Sequence, residues 1–179
     1  ELGDTAKRIG SVNTIVRRPG GELFGDNTDA YGFFKTVERS GISVENKKTL
    51  VLGSGGASVA VVEALRQLGA GPIVIISRSG ENNYDNLDSH RDARVIVNTT
   101  PLGMYPNTGV SAVKLAEFPH LDGVFDIIYN PARTELLLQA EKLGIPNRNG
   151  LYMLVAQAKR SSELFTGHNI PDEEIDRIY

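Results

Sequence analysis

The 179-residue chain contains no cysteine, so neither a disulfide nor a thiolate metal site can form. That composition fits a reducing, cytoplasmic setting. Its three histidines, His90, His120 and His168, lie far apart and share no ligand spacing with carboxylates. No metal is therefore expected, and surface positions are predicted for all three. No apolar run approaches the roughly 20 residues that span a bilayer, and no signal-peptide pattern is evident. A membrane partner is not expected. Charge of one sign is also lacking: 22 acidic residues face 19 basic ones, net −3. The lysines and arginines stand singly or in pairs (Arg17-Arg18, Lys47-Lys48), so no nucleic-acid partner is expected either. The chain opens on Glu1, not methionine, inside a helix-like run (Asp4 to Ile9). A start produced by truncation, proteolysis or processing is the expectation.

What is present suffices for one domain and part of a second, and 40% apolar residues can build a normal core. Val12 to Arg17 and Glu22 to Gly25 read as short strands, and Arg18-Pro19-Gly20-Gly21 is a turn signal that makes them a hairpin. Asp29 is suited to cap a helix over 30–40, and Gly41 to stop it. From Lys48 onward, apolar runs alternate with helical patterns. Strands are predicted at 49–52, 73–76, 95–97 and 124–128, all buried. Helices are predicted at 56–68 and 134–143, with a shorter one at 113–118. Near-continuous apolar strands alternating with helices indicate an α/β, doubly wound parallel sheet over 48–149. In the tail, Leu151, Leu154, Val155 and Ala158 form an apolar stripe. Gln157 falls on the opposite stripe with Met153, Arg160 and Leu164. Pro171 followed by three acidic residues opens a last short helix.

Gly53-Ser54-Gly55-Gly56-Ala57-Ser58 joins the first strand of this unit to its first helix. Such a turn tolerates positive φ, admits a pyrophosphate close to the backbone, and offers it free N–H groups at a helix start. The third glycine of the dinucleotide fingerprint is replaced by Ser58, so the loop alone also fits a glycine turn with no ligand. The second strand ends in Ser77-Arg78-Ser79, where NAD enzymes carry an acidic residue. A guanidinium there can pair with a 2′-phosphate, although an exposed arginine at a strand end is equally ordinary. Together the two features favour NADP on a Rossmann-type sheet. The third and fourth strands end in Asn98-Thr99-Thr100-Pro101-Leu102-Gly103-Met104 and Asp126-Ile127-Ile128-Tyr129-Asn130-Pro131, at the edge where ligands of open α/β sheets bind.

Six segments in order resemble shikimate dehydrogenases. They are Ile9 to Thr14, Gly25 to Asp29, the glycine loop Gly53 to Ala57, Asn98 to Met104, Tyr129 to Pro131, and Asn149 to Leu151 with Met153, Leu154, Val155 and Gln157. The resemblance implies reversible reduction of 3-dehydroshikimate to shikimate with NADPH. It implies that Asp29 partners a catalytic lysine and, with Asn13, Tyr129 and Gln157, contacts substrate. It also implies that Gly53, Ser54, Gly55, Gly56, Ala57, Ser77, Arg78, Ser79, Ile127 and Gly150 contact NADP. Read without it, Asp29 is a helix cap, Asn13 a solvated strand residue, Tyr129 sheet-end packing, and Gln157 an exposed amide.

Three parts follow: 1–29, a remnant of an α/β substrate domain; 30–149, the NADP-binding Rossmann domain; and 150–179, a helical tail returning towards the substrate domain. The family's Ser-x-Ser motif and catalytic lysine find no counterpart, since Lys7, Lys35, Lys47 and Lys48 lie in no comparable motif. The chain is expected to bind NADP(H) but not to turn over, and to leave apolar surface and strand edges open in residues 1–28. Mobility is expected there and beyond 165. An NAD-linked quinate/shikimate dehydrogenase and a non-catalytic dinucleotide-binding module stay as alternatives, and monomer and homodimer are both open.

Overall fold

The computed structural model describes residues 1–179. Helix α1 (Asp4–Ile9) precedes an antiparallel hairpin of β1 (Thr14–Arg17) and β2 (Leu23–Asp26). Helix α2 (Asp29–Ser40) leads from it into a five-stranded parallel sheet. Its strands are β3 (Thr49–Leu52), β4 (Ile73–Ile76), β5 (Val95–Asn98), β6 (Gly123–Asp126) and β7 (Asn147–Arg148). Helix α3 (Gly56–Gln67) joins β3 to β4, and α4 (Glu135–Lys142) joins β6 to β7. The long α5 (Leu151–Thr166) and α6 (Glu173–Ile178) close the chain. No helix is long and apolar enough to cross a membrane.

The sheet order is β4-β3-β5-β6-β7. Successive side chains of a strand point to opposite faces, and the apolar runs divide accordingly. Val51, Val95, Val97 and Phe125 pack under α2, α3 and α5 with Phe33, Val61, Leu65 and Met153. Leu50, Leu52, Ile96 and Val124 pack against α4 with Leu136, Leu137 and Ala140. A sheet covered on both faces is what continuous apolar strands require. Chain order reverses at β3, whose neighbours β4 and β5 lie on opposite sides, and the register brings Ile76, Leu52, Asn98 and Asp126 level. The loops leaving these strands therefore start from one edge.

Several sequence expectations change. Ile73 to Ile76 is an edge strand, so it is only partly buried and Ile75 is exposed. The fourth sheet strand ends at Asp126, and Ile127-Ile128 belong to the loop beyond it. In place of a helix over 113–118 there is a single 3₁₀ turn at Leu115–Glu117, with Val113, Leu115 and Phe118 plugged into the core. Strand β7 has two residues, too few to give a period. The stripe on α5 is reversed: Tyr152, Met153 and Ala156 are buried, whereas Leu151, Leu154 and Ala158 face solvent. The buried face of α5 is the one that packs on α2, Met153 against Phe33 and Tyr152 beside Tyr31, with Gly32 close against Met153 O, and not the face with the regular apolar spacing. His90 is buried, with Nε2 bonded to Asn82 Oδ1 at 3.0 Å; burial and the Lys48 charge lower its pKa. His120 and His168 are exposed.

The tail is tied down. Ile175 is buried against Tyr152 and Ala156. Asp172 accepts from the Tyr31 hydroxyl (2.7 Å) and pairs with Lys159 (2.9 Å) and Lys35 (3.0 Å). Arg39 pairs with Asp176. At the other end, residues 1–3 run alongside β2, with Gly3 N–H donating to Gly25 O (2.8 Å), so one edge of the hairpin is covered. The outer edge of β1 pairs with no strand.

Candidate active site

The loop after β3 and the start of α3 hold four backbone N–H groups, of Ser54, Gly55, Gly56 and Ala57, that make no intramolecular hydrogen bond. Gly53 has φ +105°, and a Cβ there would meet Thr99 Oγ1 at 2.9 Å, so the turn excludes a side chain on both counts. Above Gly55 and Gly56 the space is open. Ser58, where the third fingerprint glycine would stand, is buried and donates its hydroxyl to Gly55 O (2.6 Å). It braces the turn and does not obstruct it. Free N–H groups at a helix N-terminus in an open trough are what an anion such as pyrophosphate requires.

These groups face a cavity of about 480 Å³ lined by Gly53, Ser54, Gly55, Ser77, Arg78, Tyr84, Thr99, Thr100, Pro101 and Leu102. It lies where chain order reverses between β3 and β5, the crevice in which open α/β sheets take ligands. Arg78 is exposed there and forms no ion pair with any carboxylate of the chain, whereas most other arginines are paired. Ser79 is exposed and lies outside the lining; Gly56 and Ala57 contribute their N–H groups from just beyond it. Tyr84 stands near the Arg78 charge. Sequence reasoning missed it, because it sits in a polar loop with no periodicity.

A second cavity of about 350 Å³ shares Thr99, Thr100 and Pro101 with the first and continues along Met104, Ile127 and Tyr129. Gly150 lines neither cavity but packs against the backbone of Ile127 and Ile128. Its N–H donates to Ile128 O (3.0 Å), and an added Cβ would lie 1.8 Å from Ile127 O. Of the predicted NADP residues, the structure thus gathers Gly53, Ser54, Gly55, Ser77 and Arg78 in one cavity and sets Ile127 at its continuation, with Gly150 behind Ile127 and outside both linings.

The residues expected to touch substrate divide. Asn13, Asp29 and Gln157 meet around Thr28. Asn13 Oδ1 accepts from the Thr28 N–H (2.9 Å), and the Thr28 hydroxyl lies 3.3 Å from Gln157 Oε1. Ser161, unforeseen in the sequence, completes the cluster at 3.0 Å from Thr28 Oγ1 and 3.1 Å from Thr14 Oγ1. Its only signal is its place one turn beyond Gln157. Tyr129 is not in this cluster; it lines the second cavity and is exposed.

Asp29 does not cap α2. Asn27 does so, its Oδ1 accepting from the N–H groups of Asp29 (3.1 Å) and Ala30 (3.4 Å). Asp29 is the first residue of the helix, so its carboxylate is left free. Burial pushes its pKa up, and the Asn13 amide pulls it partly back. It forms no ion pair within the chain. A half-buried carboxylate without a cation, beside a buried cluster of hydroxyls and amides, can hold a polyol hydroxyl or an ammonium.

Over 191 residues the chain is 35% identical to the shikimate dehydrogenase (NADP(+)) of Clostridium perfringens strain SM101, covering 99% of this chain and 70% of that protein. A chorismate mutase/shikimate 5-dehydrogenase fusion protein from Clostridium acetobutylicum superposes with TM-score 0.92 at 36% identity, over 99% of this chain and 68% of that one. The shikimate 5-dehydrogenase of Thermus thermophilus, solved with NADP(H) and shikimate, superposes with TM-score 0.85 at 32% identity, over 98% and 70%. No family model matches the chain. The chain spans about 70% of the length of the curated relatives it matches. At this identity and coverage, in sequence and in fold alike, the chain belongs to the shikimate dehydrogenase family.

Proposed function

We propose that the chain serves an oxidoreductase that reversibly reduces 3-dehydroshikimate to shikimate with NADPH, and that its own residues form the cofactor groove and one wall of the substrate pocket. One observation carries this reading: a single trough along the strand ends holds the unpaired N–H groups of Ser54 and Gly55 and the unpaired Arg78 guanidinium, with the free N–H groups of Gly56 and Ala57 next along the chain. The N–H groups of Ser54 to Ala57 hold the pyrophosphate, and Arg78, with Ser77 and Ser79, holds the 2′-phosphate. Ile127, Gly150 and Tyr129 flank the reactive end. Bound there, NADPH supplies the hydride.

Asn13, Asp29 and Gln157 orient the hydroxyls of the substrate from the hairpin side, and Tyr129 contacts it from the strand-end cavity. Fixing one face of a ketone towards a hydride donor is where such contacts act. Charge building on the ketone oxygen needs a positioned proton donor. Asp29 is suited to hold an ammonium for that purpose, and no lysine of this chain pairs with it. The purified chain therefore binds NADPH and does not turn over. Incubation with NADP⁺ and shikimate should give no growth of NADPH absorbance, and sustained turnover would contradict the role given to Asp29's absent partner.

The division into 1–29, 30–149 and 150–179 is part of the proposal. It is supported by a hairpin that shares no strand with the main sheet, and by a tail that packs back on α2. The cytoplasmic setting suggested by the cysteine-free composition belongs to it as well. Arg78 speaks against the NAD-linked quinate version, because NAD offers its guanidinium no phosphate. The cluster of Asn13, Asp29 and Gln157 speaks against a bare dinucleotide module, which has no use for it.

A further inference from the structure

We propose that Asp126 is a positioning residue for the cofactor: its carboxylate clamps together the two loops that form the far end of the groove. The part of this that concerns the cofactor rests on the NADP reading above.

Asp126 ends β6 and is 1% exposed. A carboxylate in that place is costly unless its lone pairs are satisfied, and burial does push its pKa up. Its oxygens find three donors from three segments. Oδ1 accepts from Asn98 Nδ2 (3.0 Å) and from the Ile128 N–H (3.1 Å), and Oδ2 accepts from the Thr134 hydroxyl (2.7 Å). Asn98 ends β5 directly opposite Asp126 in the ladder. It relays the contact outward: its Oδ1 accepts from the Thr100 N–H (3.1 Å) and hydroxyl (2.7 Å), and Thr100 Oγ1 accepts from the Leu102 N–H (3.3 Å).

One buried carboxylate thereby fixes the loop after β5, the loop after β6 and, through Thr134, the start of α4. The first two loops are the walls of the cavity that holds Thr99, Thr100, Ile127 and Tyr129. The glycine loop and Arg78 share no hydrogen bond with this network and meet it only where Gly53 packs against Thr99 and Thr100, the loop common to both cavities. With the pyrophosphate at the glycine loop and the 2′-phosphate at Arg78, the reactive ring falls between the clamped loops. An apolar residue would pack in the same place and avoid the burial cost, but would leave the Ile128 N–H and the Thr134 hydroxyl without this acceptor and Asn98 Nδ2 with only the Thr100 carbonyl at 3.4 Å.

The two ends of the trough allow a test. NADPH reaches both, whereas adenosine 2′,5′-bisphosphate reaches only the Arg78 end. Asp126→Ala should weaken NADPH binding, which uses both clamped loops, by about tenfold or more and adenosine 2′,5′-bisphosphate binding, which meets only the 99–102 loop, by no more than about threefold. It should also speed amide exchange at 99–102 and 127–130 but not at 54–57. Asp126→Asn should restore NADPH affinity to within about threefold, because its oxygen keeps both Oδ1 contacts and the Thr134 hydroxyl can turn to accept from its amide. Should Asp126→Ala not fold, Asn98→Ala severs one branch only and should speed exchange at 99–102 alone. Equal weakening of both nucleotides, or unchanged exchange in the two loops, overturns the proposal. If the native chain binds neither nucleotide, the NADP reading fails, and the exchange measurements still decide whether Asp126 holds the loops.

Discussion

The strand-end trough and the hairpin side of α5 leave different kinds of group unpartnered. The trough holds free polar groups, the N–H donors of the glycine loop and the Arg78 guanidinium, beside exposed Leu102 and Met104, on a scaffold packed on both faces of the sheet. On the hairpin side the free groups are apolar: Ile15 is 61% exposed, Leu23 52% and Phe165 63%. Free donors in a rigid concave site signal a small anionic ligand. Apolar side chains left in water contribute nothing to the fold as it stands. The cofactor side is thus self-sufficient, while the Asn13, Asp29 and Gln157 cluster is polar and preformed but set among groups that the chain itself does not cover.

The contrast can be broken at its joint. Gly150→Ala forces a Cβ into Ile127 O and should cost about 3 kcal/mol, read from urea denaturation, because overpacking between two backbones cannot relax by rotamer change. Next in size is Arg78→Asp. It should weaken NADPH binding about 100-fold, near 2.7 kcal/mol, and leave NADH within about threefold. Equal loss of both would remove Arg78 from the 2′-phosphate.

A smaller effect concerns the tail. Tyr31, Lys159 and Lys35 hold the Asp172 carboxyl well below the usual carboxylate range. A depressed folded pKa adds stability above the unfolded value of 3.8 that is lost as pH falls through and below it. Since the side chain is 48% exposed, the contribution is about 1 kcal/mol after screening. Proteolysis of 167–179 should quicken between pH 5 and pH 3, a window set by that unfolded value, and Asp172→Asn should flatten the change. The smallest effect is on the open face. Ile15→Ser and Leu154→Lys should each shift stability by less than about 0.5 kcal/mol. A larger loss in either would mean that this face is not free.

Much of the fold was legible because its strands are continuous apolar runs, and a parallel sheet needs no further cue. What failed were cases decided by neighbours. Ile73 to Ile76 has a core composition but lies at the sheet edge. The stripe of Leu151, Leu154 and Ala158 is regular, yet α5 packs its other face, Tyr152, Met153 and Ala156, against the core and α2. Residues in short motifs could be singled out in the sequence, and the fold brings the glycine loop and Arg78 to one cavity and Asn13 with Asp29 to one cluster. Ser161 could not, since it acts through contacts distant in sequence, 147 residues in its bond to Thr14; Tyr84 sits in a polar loop without periodicity, and Asp126 ends an apolar strand whose pattern says nothing of its side-chain bonds. Asn27 was hidden by Asp29, an equally good capping residue two positions later.

Calorimetric titration of the purified 179-residue chain with NADPH and with NADH tests the central claim most directly. The account predicts one NADPH per chain, bound at least about tenfold more tightly than NADH. Absence of NADPH binding, or equal affinity for the two, would contradict it.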